Sequence, residues 1–323
     1  MAGTSVSGTA AVRRSEPDPP AILSARIRFL AKSSVLLLRF PGTLVDLGRG
    51  WRPGVASMER RVIERYQRSP SGYARVGRAR IRVNPFNTPA ENGSMVVAHW
   101  YEPPVTEVFR TLCRRGGRVV DVGANVGWYT FLAADRVGPK GRVVAFEPEE
   151  ENFQLLSQSL RENPRPQVEI ARVSVSDHEG VEQLSLSEEA ASFHSISRTV
   201  GPRSVTVPAV PLGRELERRG MVTADLLKVD VEGGEPKVLR GARPLWGGGL
   251  LPNVILEWRP QSWEGESPLW EEIVEFYDVF RIAFSPRLLV SIAEPTIERV
   301  SAATSRAGRH GADLYLRRKA RGA

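Results

Sequence analysis

From residue 103 onward the chain alternates between two kinds of apolar pattern. Short apolar runs such as RVVDV, RVVAF, DLLKV and NVILEW are separated by stretches whose apolar residues recur every three to four positions. A short run bounded by turn residues reads as a buried strand, and the longer spacing reads as a helix with one apolar face. The pattern predicts helices over 105–114, 126–136, 149–161, 234–241 and 269–276. It predicts strands over 118–122, 141–146, 167–173, 225–230, 253–258, 277–284 and 313–317, with strand pieces near 181–186 and 205–210. Strands alternating with helices predict an α/β fold, a doubly wound parallel sheet covered on both faces. The last two strands have no clear helical pattern between them and predict an antiparallel hairpin at one sheet edge.

Upstream the pattern is less regular. Residues 1–20 are rich in Ser, Gly, Pro and Arg and read as a disordered tail. Residues 21–100 read as a basic N-terminal extension of helices and a strand pair, 101–318 as the main domain, and 319–323 as a tail. Within the extension, 22–50 holds a helical stretch with an apolar face and a charged component of Arg26, Arg28, Lys32 and Arg39. Such a helix packs on its own domain or lies on a membrane surface. A second helix is expected over 58–67, and ARIRV and SMVVAHW read as extended segments joined by a turn-rich loop.

Charge sharpens this division. Residues 1–100 carry 16 basic against 6 acidic side chains and 299–323 carry 7 against 1, whereas 101–298 carry 22 against 30. The basic character therefore sits at the ends, around an acidic centre. It lacks the interleaved aromatics of an RNA-binding surface, so no nucleic-acid partner is expected. The single cysteine, Cys113, excludes an internal disulfide framework and a cysteine-based zinc site. No apolar run approaches the length of a membrane span, and the first residues do not read as a signal peptide, so a cytoplasmic protein is expected.

The candidate chemistry begins at DVGANVG, where a predicted strand turns into a predicted helix. Gly123 and Gly127 flank Asn125 in a G-x-N-x-G spacing. A dinucleotide fingerprint needs a third glycine, and here Trp128 and Tyr129 crowd the place where a pyrophosphate would meet the helix. The turn admits a nucleoside with a small polar tail, and Asp121 at the strand end is placed to accept a hydrogen bond from a cationic amine. Glu147, ending the second strand, is placed to accept both hydroxyls of a ribose. Together these favour S-adenosyl-L-methionine as cofactor. Ser176 and Asp177 stand where a small polar pair reads an adenine amino group, or simply form a turn before Gly180. In LLKVDVEGGE, the residues Lys228, Asp230 and Glu232 alternate along a strand end and so share one side of the sheet. Three such charges at a ligand-binding edge are costly to desolvate unless paired or used.

VVDVGANVGWYT, VVAFEPEEENFQLL, SVSDHEG, SFHSIS and DLLKVDVEGGEPKVLRGA, in this order, resemble the FkbM family of S-adenosylmethionine-dependent methyltransferases. The likeness runs from about Tyr101 to Arg317, and the first hundred residues inherit nothing from it. The resemblance implies a class I methyltransferase fold: a Rossmann-like sheet of seven strands in the order 3-2-1-4-5-7-6, the last antiparallel. It also implies methyl transfer to a hydroxyl of a sugar, glycan or secondary metabolite.

The cofactor-binding candidates are Asp121, Gly123, Asn125, Gly127, Glu147, Ser176, Asp177 and Asp230. The catalytic candidates are Asp230, His194, Glu232 and Lys228, because an alcohol acceptor needs its proton removed. Glu257 and Trp258 are expected on the acceptor side, with Tyr101 and Glu102 bordering the cofactor. Three rival readings are a nicotinamide-dependent oxidoreductase, a metal-dependent glycosyltransferase using Asp230 and Glu232, and a scaffold that keeps the fold without the activity. The partner expected is a small-molecule or glycan acceptor, and no resident metal is expected.

Overall fold

A computed structural model describes residues 72–83, 95, 101–186, 203–283, 287–305 and 311–320. The basic helix expected over 22–50, the helix expected over 58–67 and His194 lie outside the described residues.

The described residues open with a hairpin of β1 (Tyr73–Val76) and β2 (Ala79–Arg82). This corrects the expected pairing: ARIRV pairs with YARV across a tight Gly77-Arg78 turn, and Met95 in the other expected strand is helical. Ala74, Val76, Ala79 and Ile81 alternate onto one buried face and join the main core, while the arginines between them face out. The hairpin is therefore part of the main domain's packing.

The main sheet contains β3 (Arg118–Val122), β4 (Arg142–Phe146), β5 (Val168–Ala171), β9 (Leu226–Val229), β10 (Asn253–Trp258), β11 (Tyr277–Ile282), β12 (Leu289–Ser291) and β13 (Ala312–Arg318). Their spatial order is β12-β11-β13-β10-β9-β3-β4-β5. Without β12 this is the 3-2-1-4-5-7-6 order, and β13 runs antiparallel to both β10 and β11. The fold is that of a class I methyltransferase. Two details differ from the sequence reading. The sheet has an eighth strand, β12, at its edge, and β13 is reached from β11 through β12 and a helix (Ile297–Ser305), not through a direct hairpin. That helix begins after Pro295-Thr296, and its short amphipathic pattern is easily hidden among polar residues.

Helices cover both faces. On one side lie α1 (Pro103–Leu112), α2 (Trp128–Val137) and α3 (Glu150–Glu162), which with the hairpin form one core. On the other lie α4 (Leu212–Arg218), α5 (Glu235–Gly241), α6 (Arg243–Gly247), α7 (Ser267–Phe276) and α8 (Ile297–Ser305). Trp258, Trp263 and Trp270 pack together in this second core, the first two stacked at 4.6 Å. A separate three-stranded sheet of β6 (Ser174–Ser176), β7 (Gly180–Leu186) and β8 (Arg203–Pro211) stands beside the main one. The expected third strand thus ends at Ala171, and residues 174–176 pair parallel with β8 instead. Among the described residues no helix is long and apolar enough to cross a membrane.

One close approach sets the geometry of the sheet's carboxyl edge. Gly123 follows β3 at φ +79°, and a Cβ there would lie 1.8 Å from the backbone carbonyl oxygen of Asp230. Gly123→Ala must strain the backbone and push two strand ends apart, a cost of about 3 kcal/mol. Gly116 has a similar φ of +73° but open space around it, so Gly116→Ala should cost only about 1 kcal/mol. Urea unfolding of the two variants checks the difference, and equal losses would mean that the strand contact does not matter.

Candidate active site

The carboxyl ends of β3, β4, β9 and β10 open into a cavity of about 440 Å³, within the usual range for small-molecule sites. Its two ends differ in chemistry.

At the first end, Glu147 follows β4 and is almost completely buried. Its Oε2 accepts from the Asn125 backbone N–H at 2.7 Å and its Oε1 from that of Glu149 at 2.9 Å. Asn125 is held in the left-handed region at φ 50°, which turns its N–H toward Glu147. Burial raises the Glu147 carboxyl to about 8, and the two N–H donors oppose that rise. Glu149 caps α3 through the Glu151 and Asn152 N–H groups, so Pro148 lies outside the helix rather than opening it. Phe146, Val173, Val175 and Leu184 give this end apolar walls.

The second end is charged. Lys228 is 3% exposed, donates from Nζ to Asp230 Oδ2 at 2.8 Å, and sits 4.5 Å from the Tyr129 ring centroid. Burial alone would lower its ammonium, but the carboxylates of Asp230, Glu102 and Asp121 more than offset that and raise it. Burial likewise opposes ionisation of Asp230, and Lys228 overrides it, leaving that carboxyl below its ordinary range. Glu257 hydrogen-bonds Asp230, and burial, then the Asp230 and Glu232 charges, push its carboxyl well up. Arg259 donates to both oxygens of Glu257 at 3.0 and 2.9 Å and forms an ion pair with Glu232. Glu232 is left-handed at φ 55°, a turn held by the buried Glu235, whose Oε1 accepts from the Val231 and Gly233 N–H groups at 3.2 and 2.9 Å. Carboxylate oxygens of Asp230, Glu232 and Glu257 lie within 4.8 Å of one another. Arg259 supplies the positive charge inside that group, which fits an ion-pair network better than a metal-binding D-x-E.

The opposite wall comes from ahead of α1. Glu102 is left-handed at φ 39° and its Oε2 accepts from the Tyr129 hydroxyl at 2.8 Å. Burial, then the Asp313 and Asp230 charges, raise it to about 8. Trp128 donates from its indole to Thr106 at 3.2 Å, so the aromatics expected to crowd the turn brace α2 against α1.

Of the residues expected at the site, Gly123, Asn125, Glu147, Lys228, Asp230, Glu232, Glu257, Tyr101 and Glu102 line the cavity. Several do not. Asp121 faces α2, fully buried, and accepts from Thr130 Oγ1 at 2.7 Å. Gly127 faces α3, where a Cβ would meet Leu156 at 2.5 Å. Ser176 and Asp177 leave with β6: Ser176 donates to Glu182 at 2.9 Å and Asp177 pairs with Arg240 at 2.9 Å. Ser174, two residues earlier, occupies the cavity wall. Trp258 points into the tryptophan cluster, because neighbours along a strand face opposite ways. Arg259 and Asp313 were not anticipated. The Glu257-x-Arg259 alternation signals the first, whereas Asp313 reaches the site only because β13 pairs with β10, opposite Glu257.

The FkbM methyltransferase domain model matches residues 121–281. Methyltransferase sdnD of Sordaria araneosa is 28% identical over 190 residues, covering 49% of this chain and 71% of that protein. Among solved structures, the FkbM methyltransferase of Methylobacillus flagellatus is 14% identical, with a TM-score of 0.37 over 80% of this chain and 59% of that one. A Thermotoga maritima S-adenosylmethionine-dependent O-methyltransferase is also 14% identical, with a TM-score of 0.36 over 69% and 68%. The matched segment runs from the glycine turn through the Lys228–Asp230 strand end to β11, so it takes in most of the cavity's floor. The chain belongs to the FkbM family and is an S-adenosylmethionine-dependent methyltransferase.

Proposed function

We propose that the enzyme transfers the methyl group to a hydroxyl oxygen of a sugar, glycan or secondary metabolite, and that the cavity's two ends divide the work. The observation that carries this reading is the charged end: carboxylates held by Lys228, Arg259 and Tyr129, beside the rings of Tyr101 and Trp128. Carboxylates are strong acceptors for hydroxyl donors, and aromatic faces suit the apolar side of a polyol or ring.

In this reading Glu147 and the Asn125 turn hold the ribose hydroxyls, and Phe146, Val173, Val175 and Leu184 enclose the base. The fit rests on the buried Glu147 carboxyl beside apolar walls and on the cavity's size. The bound cofactor supplies an electrophilic methyl on a sulfonium. Asp230, fixed and kept ionised by Lys228, accepts a hydrogen bond from a neighbouring hydroxyl of the polyol acceptor and so aims the reacting oxygen. Lys228 is too firmly protonated to act as a base, and Glu232 is committed to Arg259. His194 keeps its sequence-based candidacy. The cytoplasmic setting belongs to the same reading, as does an acceptor that is not a nucleic acid.

Product analysis tests the acceptor class. With 13C-methyl cofactor and a panel of polyhydroxylated acceptors, NMR of the transferred methyl should show an ether; an N-methyl or C-methyl product would overturn the reading. Asp230→Asn should lower turnover about a hundredfold while calorimetric affinity for S-adenosylhomocysteine stays within about twofold. Glu147→Ala should weaken that affinity about 10- to 100-fold through lost hydrogen bonds to the ribose.

The raised carboxyl of Glu147 also fixes a pH dependence. Its folded-state value of about 8 lies above the ordinary carboxylate range. Between about pH 4.5 and 8 the folded state therefore holds more protons than the unfolded chain, and stability falls as pH rises. Calorimetric melting of the cofactor-free protein should show Tm dropping through that window, with a shallower drop in Glu147→Gln.

A further inference from the structure

We propose that Glu102 is the group that takes the acceptor's proton, with Tyr129 as its positioning residue. The proposal rests on the hydroxyl-transfer reading and adds the base that reading lacks.

Glu102 stands immediately before α1, where a polar side chain ordinarily caps the helix. It makes no side-chain cap hydrogen bond. Its backbone is instead left-handed at φ 39°, strained for a residue with a side chain, and its carboxyl lines the cavity. Strain of this kind persists where the surroundings hold the residue for another purpose. The holding contact is Tyr129. That ring is 3% exposed, packs 4.9 Å from Phe109 and lies under the Lys228 ammonium, so its hydroxyl is fixed as it donates to Glu102 at 2.8 Å.

The groups facing Glu102 are Tyr129 on α2, Lys228 on β9, Asp230 just after β9, and Asp313 on β13. Glu257 of β10 and Arg259 just after it line the same end. Asp230 is hydrogen-bonded to Lys228, and Glu257 and Glu232 are paired with Arg259. Glu102 differs from these three in having a neutral hydroxyl, not a cation, as its donor. Burial and the neighbouring acids raise its proton affinity to about 8, and Lys228 and Tyr129 restrain the rise. A carboxylate in that range accepts a proton near neutrality and gives it up again.

In the step itself the acceptor oxygen forms a bond to the methyl carbon. The carbon–sulfur bond breaks, and its electron pair stays on sulfur as a neutral thioether. The acceptor's O–H proton passes to a Glu102 oxygen and from there to solvent.

The test needs no acceptor. Sinefungin carries an amine where the sulfonium methyl stands, and S-adenosylhomocysteine carries nothing there. Calorimetry on the full chain from pH 6.5 to 8.5 should show the preference for sinefungin growing by about fivefold as Glu102 ionises, the effect of one nearby charge in a partly screened site. In Glu102→Gln that growth should vanish, with S-adenosylhomocysteine bound within about twofold of wild type. Tyr129→Phe removes a donor that favours the carboxylate, so the midpoint should move to higher pH. A preference that ignores pH, or one unchanged in Glu102→Gln, would overturn the proposal. So would equal weakening of both ligands, which would make Glu102 a grip on the cofactor's body. Such a failure leaves the hydroxyl reading intact, because that reading is decided by the identity of the methylated product.

Discussion

A single buried ammonium organises the carboxyl edge of the sheet. Lys228 lies on the central strand β9 with carboxylates of Asp230, Glu102 and Asp121 around it, on residues from three separate parts of the chain. An isolated ammonium would not stay charged in such surroundings. The acids would in turn repel one another without it. Each charge is tolerable because the others are present, and that mutual dependence ties the segment before α1 to the strands β3 and β9. A similar exchange operates one strand over, where Arg259 answers Glu232 and Glu257. Removing one partner of either network leaves a buried charge unmatched, which costs far more than the net worth of the pair.

Backbone strain follows the same map. The described residues with side chains and positive φ are Glu102, Asn125, Glu232 and Glu294, and three of these four line the cavity. Each presents its group from a sharp turn at the edge of a rigid element. Glu235 anchors one of these turns from within the protein, and the Glu147 carboxyl anchors another. The fold thus places flexible-looking loop residues with the precision of a sheet.

Much of this was legible in the sequence, for identifiable reasons. The strands β3, β4, β9 and β10 are buried on both faces and read as continuous apolar runs, so their ends, and hence Gly123, Glu147 and Asp230, could be placed closely. The errors arise where tertiary contact overrides local pattern. Asp121 and Gly127 belong to the right motif, yet each faces a helix and not the ligand side. Ser176 and Asp177 were expected just beyond the third strand, but the chain leaves the main sheet at Ala171 and residues 174–176 pair with β8 instead. Asp313 lies about 190 residues from the glycine turn, and only the insertion of β13 beside β10 brings it to the site. Arg259 was overlooked because it sits one residue beyond its strand, although the alternation that brings Glu257 to the cavity continues to it.

The small sheet has a consequence for how such an enzyme diversifies. Leu186 and Arg203 are partners across the β7–β8 ladder, so the 16 intervening residues, 187–202, leave and re-enter at one point. Leu184, on the departing strand, already reaches the cavity wall. Lengthening a connection whose ends are pinned costs only a slowly growing closure entropy, about 0.6 kcal/mol per doubling. New lengths and compositions can therefore be tried in that connection during evolution without altering the register of the main sheet or the charge network at its edge.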